Sequence, residues 1–442
     1  MRPFLVPSLL LLSATLVAAE PVTLGGALRE AVQARPSVRA ARLEAAAAEA
    51  AVGEARGRLL PRLTLEERFV ATDEPATSLF IALNQQQLEL RQDSDFYNFP
   101  STHRDFETRL TLEQPLFQPD SYFGWQRSRA GAEAAAASAD WSAEQAAFAA
   151  FRAYLEVQQA GSALAWAVSS QQEAAEIFRL GSERQQAGVG LRADVLQAQV
   201  LQAQAARRLL SVQNDQRIAR RALALAMGRD GEVEIAAPVQ AAELQGGGEA
   251  PTRRPDLAAL AAREREAALA HRQSQAAWLP RLGVSASYVL HDAETPFGTE
   301  ADSWLVAAGF SWELFSGFAT HYGSRRTAAS AEAAAQHRLE AWRQARFQLQ
   351  EMQDRAAEAQ SHLASAQQAV GQAAEGHRLM LQRFEAGLVN LSELLSAQAA
   401  LDRARFDATV AESRYFLALG AILFQRGEFR QQLLPMAEGS KP

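Results

Sequence analysis

The amino-acid sequence predicts a mainly α-helical subunit with a β-barrel portion. It is built twice over from long coiled-coil helices and adds four strands to a barrel shared between copies of the chain. Three observations carry this expectation. Short motifs recur in order at nearly constant offsets. Two stretches of 68 and 70 residues contain no proline. Each half of the chain also holds two segments in which apolar and polar residues alternate.

The repetition sets the organisation. Arg35-Pro36-Ser37-Val38 recurs as Arg254-Pro255-Asp256-Leu257, and Leu60-Pro61-Arg62-Leu63 recurs as Leu279-Pro280-Arg281-Leu282. Pro115-Leu116-Phe117 answers Glu313-Leu314-Phe315. Ala187-Gly188, ahead of Asp194-Val195-Leu196-Gln197-Ala198-Gln199, answers Ala386-Gly387 ahead of Glu393-Leu394-Leu395-Ser396-Ala397-Gln398. The expected layout is a signal sequence at 1–19, a first repeat at 20–245 and a second at 246–442. Gly246-Gly247-Gly248 serves as a flexible connector between them.

The opening residues read as a secretory signal. Arg2 is followed by an apolar run too short to span a bilayer, and Val17-Ala18-Ala19 places small residues before Glu20. The chain has no cysteine, so disulfides, thiol chemistry and a lipid-bearing cysteine are excluded. No later segment reaches the ~18 consecutive apolar residues of a membrane helix, so entry into a membrane has to be by strands. The net charge of -7 argues against nucleic acid as a partner.

Each half repeats one order of elements. A helix is expected from Pro36 to Leu59 and from Pro255 to Trp278, each stopped by the proline that follows, Pro61 or Pro280. The proline-free stretches, Asp120 to Ala187 and Gly317 to Ala386, each predict an outgoing helix roughly 100 Å long. A glycine turn at Gly188 and Gly190, or at Gly387, then leads into a returning helix that ends near Met227 or Arg426. The hairpins thus cover 120–227 and 317–426. A seven-residue ladder of Leu394, Leu401, Ala408, Tyr415 and Ile422 has an alanine companion, Ala397, Ala404, Ala411 and Ala418, which marks a coiled-coil seam.

The alternating segments, about 62–71, 106–115, 281–290 and 303–314, have the length and pattern of membrane-barrel strands. Leu282, Val284, Ala286, Tyr288 and Leu290 share one face, and Trp304, Val306, Ala308, Phe310, Trp312 and Leu314 another. Tyr288, Trp304 and Trp312 suit the bilayer interfaces. Four strands cannot close a barrel, and an open edge is not tolerated in lipid. Two chains would give eight strands and a filled interior, whereas three give twelve and a lumen. The connection from about Thr72 to Asp105 reads as a long loop whose apolar content packs over the barrel rim.

Together these marks resemble the TolC-type outer-membrane efflux proteins over essentially the whole mature chain. The specific points are the duplication, Arg-Pro-Asp-Leu at 254–257, Leu-Pro-Arg-Leu before the strands, Gln114-Pro115-Leu116-Phe117, and the Ala-Gly turn before Asp194. The resemblance implies a homotrimer with a twelve-stranded barrel in the outer membrane and a helical barrel in the periplasm of a Gram-negative bacterium. It implies an exit duct for tripartite efflux or type I secretion, with a periplasmic adaptor protein, an inner-membrane transporter and outer-membrane lipid as partners. It also implies an entrance closed at the helical tips, with acidic residues around the constriction. Asp194 and Glu393 stand at that motif position. Phe384 and Val389 stand where the best-known member has its polar latch, so the latch does not carry over; Arg192 and Arg383 are substitute candidates. Gly188, Gly190 and Gly387 form the tip turns expected to meet the adaptor. A capping role competes for the two acids, because Asn390 can cap the helix that begins at Leu391 with Glu393 reaching back.

Other classes fit less well. The seven histidines lie far apart with no metal-ligand spacing. Gly309-Phe310-Ser311-Trp312-Glu313 misses a nucleophile elbow by its last residue, and there is no phosphate loop or dinucleotide fingerprint. Neither an enzyme nor a cofactor is therefore expected. The remaining alternative is a structural periplasmic coiled coil without a channel, which leaves the alternating segments unexplained.

Overall fold

Proline decides where several helices begin, because its fixed φ suits the first turn and its missing N–H costs nothing there. Pro36 opens α2 (Pro36–Gly57), Pro75 opens α3 (Pro75–Asn84), Pro119 opens α5 (Pro119–Gln186) and Pro255 opens α7 (Pro255–Ala276). The computed structural model describes residues 21–89, 92, 94–244 and 254–434. The signal sequence and the Gly246-Gly247-Gly248 connector lie outside the described residues. The remaining elements are α1 (Leu24–Ala34), β1 (Arg62–Thr72), α4 (Ser94–Asn98), β2 (His103–Phe117), α6 (Arg192–Met227), β3 (Arg281–Asp292), β4 (Ala301–Ser311), α8 (Ala319–Glu385), α9 (Leu391–Arg426) and α10 (Phe429–Leu433).

The chain forms two compact units, and they do not follow the sequence repeats. One comprises Met1–Ala41, Asp140–Pro255 and Arg343–Pro442; the other comprises Arg42–Ala139 and Asp256–Trp342. Each draws on both halves of the chain, since each repeat contributes equivalent elements to both.

The first unit is helical. Its core gathers α1, the start of α2, the middle of α5 and the ends of α6 and α9 around Leu28, Phe151, Tyr154, Leu223, Met227, Leu423 and Phe429. Helix α1 is absent from the sequence reading, which began its first helix at Pro36. Thr23 caps it by accepting a hydrogen bond from the Gly26 N–H at 3.2 Å, and Ala27, Leu28 and Ala31 are fully buried. A short parallel bridge, Val22 to Ile235, ties the chain start to the segment after α6. The Tyr154 hydroxyl donates to the Ala237 carbonyl at 2.6 Å and fastens that segment to α5. α5 and α9 approach so closely that a Cβ at Gly420 would lie 2.3 Å from Phe151 Cε1. Glu144 is buried beside α10, where its carboxylate meets Arg430 Nε at 3.0 Å. Burial pushes its carboxyl above the usual carboxylate range, against the pull of the Arg430 guanidinium.

The second unit is built on an antiparallel sheet in the order β1-β2-β3-β4. Its inner pair, β2 and β3, joins the two sequence repeats side by side. β4 spans 301–311 rather than 303–314. The Trp312 indole leaves the ladder and donates to the Trp278 carbonyl at 3.0 Å, and the chain then turns through Gly317 and Phe318 at positive φ. The connection between β1 and β2 is not a plain loop. It contains α3 and α4, and α3 starts where Pro75 follows Glu74 in extended conformation.

Candidate functional site

The tips of the two helical hairpins are near copies of each other. α5 ends in a left-handed glycine, Gly188 at φ 77°, with Val189 N–H returning to the Arg184 carbonyl at 3.0 Å. α8 ends the same way at Gly387, also φ 77°, with Leu388 N–H returning to the Arg383 carbonyl at 2.9 Å. Both are glycine-terminated helix ends that satisfy carbonyls the helix leaves unpaired. Gly190 is needed for another reason: a Cβ there would lie 2.9 Å from the Gln185 backbone nitrogen, which cannot yield. Its counterpart Val389 has room, and packs against the tip core.

The two tip acids differ in local role. α6 begins after Leu191, which has no side-chain acceptor, so the Asp194 carboxylate takes the Leu191 N–H at 3.4 Å. α9 begins after Asn390, whose Oδ1 accepts the Glu393 N–H at 3.0 Å. Each helix thus uses half of the reciprocal capping arrangement, and not the same half. The full box expected at Asn390 and Glu393 does not form. Asp194 serves as a cap, while the Glu393 side chain is exposed and has no hydrogen-bond partner among the described residues.

Phe384 is buried with Ile177, Ala198, Leu391 and Leu394, so the two hairpin tips share a small core. Arg184 closes it. Its guanidinium stacks 5.0 Å over the Phe384 ring and donates to the Phe384 carbonyl at 2.5 Å. Arg192 and Arg383, the candidates from sequence, are exposed, and their side chains make no hydrogen bond or ion pair among the described residues. Further from the tip, buried Gln398 donates to Glu173 at 2.6 Å and to Asp402 at 3.3 Å, tying α9 to α5. Val189, Leu191 and Leu388 stand exposed at the turns.

The sheet has one apolar and one polar face. The register sets Leu63 against Leu112, Leu65 against Leu110, Leu110 against Tyr288, Tyr288 against Trp304 and Leu282 against Phe310. Leu63, Leu65, Trp304, Val306 and Phe310 are more than 60% exposed, so at these positions no described residue covers the apolar face. The opposite face pairs Thr64 with Thr111, Glu66 with Arg109 and Arg68 with Glu107. There the Glu107 carboxylate is held by Arg68 at 2.5 Å and by Arg109. No described helix is long and apolar enough to cross a membrane.

The sequence matches the outer membrane efflux protein family over residues 27–229 and 247–422. The chain belongs to this family. A search of curated proteins finds no match. Among solved structures, the outer-membrane channel OprN is similar at 20% identity and a TM-score of 0.77, over 92% of this chain and 90% of that one. CusC is similar at 14% identity and a TM-score of 0.80, over 92% and 93%. The outer membrane protein VceC from Vibrio cholerae is similar at 18% identity and a TM-score of 0.76, over 91% and 96%. Family membership makes this chain an outer-membrane protein of efflux rather than an enzyme. Among its described residues no group of three or more His, Asp or Glu side chains is placed to hold a metal ion.

Sequence reasoning missed Arg184, although a signal for it was present. Arg184 and Arg383 occupy the same place in the two repeats, each three residues before an Ala-Gly turn. The sequence pointed to the copy in the second repeat, and the copy in the first makes the contact. Only Arg184 finds an aromatic partner, because the repeat counterpart of Phe384 is Gln185.

Proposed function

We propose that three copies of this efflux protein close a twelve-stranded barrel in the outer membrane. The assembly would form the exit duct of a tripartite efflux or type I secretion system, fed by an inner-membrane transporter through a periplasmic adaptor. The observation that carries this reading is the sheet: one mainly apolar and largely exposed face, interrupted by Glu67 and Asp302, one polar face, and two edge strands, β1 and β4, with no further described strand to pair them. Unpaired edges do not persist in lipid, so the edges must be joined by other copies. An exposed apolar stripe on α6, comprising Leu196, Val200, Leu210, Ile218 and Leu225, supports helix-to-helix contact between copies.

In this reading the hairpin tips form the periplasmic entrance. Phe384 is the apolar body of the gate, Glu393 and Asp194 supply negative charge around it, and Arg192 lies at its rim. The turns at Gly188, Gly190 and Gly387, with Val189, Leu191 and Leu388 exposed beside them, offer the adaptor a small apolar surface. Three copies put six tip carboxylates around one axis, which attracts cations and repels anions, most strongly at low salt.

The test is a planar-bilayer recording of the wild type and of the Asp194→Asn, Glu393→Gln variant. The expected result is a cation-selective pore whose selectivity and block by multivalent cations weaken in the variant while the oligomer survives. Because Asp194 caps a helix and Glu393 does not, Glu393→Gln alone should weaken selectivity without loss of stability. Unchanged selectivity and block in both variants would leave Asp194 as a helix cap only and remove both acids from the gate.

A further inference from the structure

The polar face of the sheet is covered at one end only. Toward the β1–β2 connection, Asp105, Glu107, Val289, His291 and Ala301 are buried. Two residues further along the same face, Thr111 and Ser287 are half-buried and Leu305 is 61% exposed. Helix α3 accounts for the difference. Ser78, Ile81 and Gln85, spaced to fall on one side of the helix, are buried. Gln85 Nε2 donates to Asp105 Oδ1 at 3.0 Å and to the Arg104 carbonyl at 2.7 Å, and Asp105 Oδ2 accepts from His291 Nδ1 at 2.9 Å. The Ser78 hydroxyl reaches the Thr72 carbonyl of β1 at 3.4 Å, and Gln86 reaches the Asp302 carbonyl of β4 at 3.4 Å. α3 is thus pinned to the outer strands and to a buried pair on the inner two. The other side of α3 is apolar and bare: Phe80 is 62% exposed and Leu83 is 45% exposed.

Side-chain parity fixes which way this helix lies. Asp105 and His291 share the face of Glu66, Arg68 and Arg109, opposite the apolar face of Leu65, Leu110 and Trp304. If the apolar face meets lipid, as in the function proposed above, α3 lies inside the barrel at its outer mouth. Twelve strands ~4.8 Å apart and tilted ~40° enclose a ring about 24 Å across. A helix with its side chains is about 10 Å thick. Three such helices against the wall therefore reach the axis, and the only surfaces their bare sides can meet there are one another.

We propose that α3 is a lid on the extracellular mouth of the channel. Three copies seal it by packing Phe80 and Leu83 around the axis, with the Gln85–Asp105–His291 contacts as the hinge-side anchor. The lid is a closure separate from the periplasmic tips.

The chain has no cysteine, so Phe80→Cys introduces a single thiol. In the assembled wild-type background, oxidation of F80C should link neighbouring chains on non-reducing gels, lower the single-channel conductance, and be reversed by reductant. Replacing residues 75–100 with a short glycine–serine turn should raise conductance and admit larger polymers from the extracellular side. If that deletion fails to assemble, the F80C readouts decide alone. A wild-type protein that neither trimerises nor opens pores overturns the barrel reading and the lid with it. A pore-forming trimer in which F80C does not cross-link overturns the lid alone, and cross-linking that leaves conductance unchanged overturns it as a closure.

Discussion

Arg184 shows how duplicated residues acquire different work. It and Arg383 arise from the same position in the repeat, yet Arg184 stacks on Phe384 and bonds its carbonyl while Arg383 stays in solvent. Cation–π stacking is worth roughly 0.5–2 kcal/mol, and a hydrogen bond from a charged donor about 1.5–3 kcal/mol. Arg184→Ala should therefore loosen the tip and raise the open fraction in bilayer recordings, whereas Arg383→Ala should leave gating unchanged. Equal effects from the two variants would show that the Phe384 contact does not hold the tip. The acids diverge in the same manner. Leu191 in place of a capping side chain makes Asp194 reach back to the backbone, while Asn390 leaves the Glu393 carboxylate free. The positions of these side chains were legible in the sequence because the repeat aligns them. Their partners were not, because a partner across two hairpins depends on how the hairpins pack, and no local pattern encodes that.

At the scale of elements, the sequence reports what is local and periodic. Long helices are written in the absence of proline, their ends in Ala-Gly turns, and the strands in alternation at period two. α1 was missed because it is short and its buried positions, Ala27, Leu28, Ala31 and Val32, occur among other small residues without a proline to mark the start. α3 was missed because Ser78-Leu79-Phe80-Ile81-Ala82-Leu83 is apolar almost throughout, and such a run has no period to read. The strand ends near Trp312 shifted because a tertiary hydrogen bond to Trp278 outweighed the alternation. Close helix packing is likewise invisible locally. Gly420 lies inside α9, where glycine costs helix stability, and its reason is the fully buried ring of Phe151 on α5. Gly420→Ala should then destabilise the helical unit by about 1–3 kcal/mol despite alanine's better helix propensity. A neutral or stabilising result in denaturant unfolding would mean that α5 and α9 are not in contact there.

For the whole molecule, the two compact units cut across the two repeats, so each repeat is divided between a helical part and a sheet-bearing part. Duplication has therefore produced paired strands and paired hairpins rather than two separate domains. The family and the class of fold were recoverable from sequence because the repeat order is preserved over most of the chain. The proposed assembly rests on a physical shortage among the described residues: four strands, an exposed apolar face and two bare edges. In detergent the mature chain should run as a trimer that dissociates only on heating. A monodisperse monomer that retains its β signal in circular dichroism would remove the basis for a shared barrel.

The pairing of β2 with β3 also has a consequence in time. β1 and β2 are joined through a local connection, as are β3 and β4, but Phe117 of β2 pairs with Leu282 of β3, far later in the chain. A polypeptide delivered from its N-terminus presents one finished hairpin with an apolar face long before the second hairpin exists, while the α5–α6 hairpin is still emerging. The closing contact is thus late, and its loop-closure entropy is large. During that interval Leu63, Leu65, Leu110 and Leu112 have neither lipid nor neighbour to cover them. The order in which this chain is made obliges the cell to hold it soluble between export and insertion.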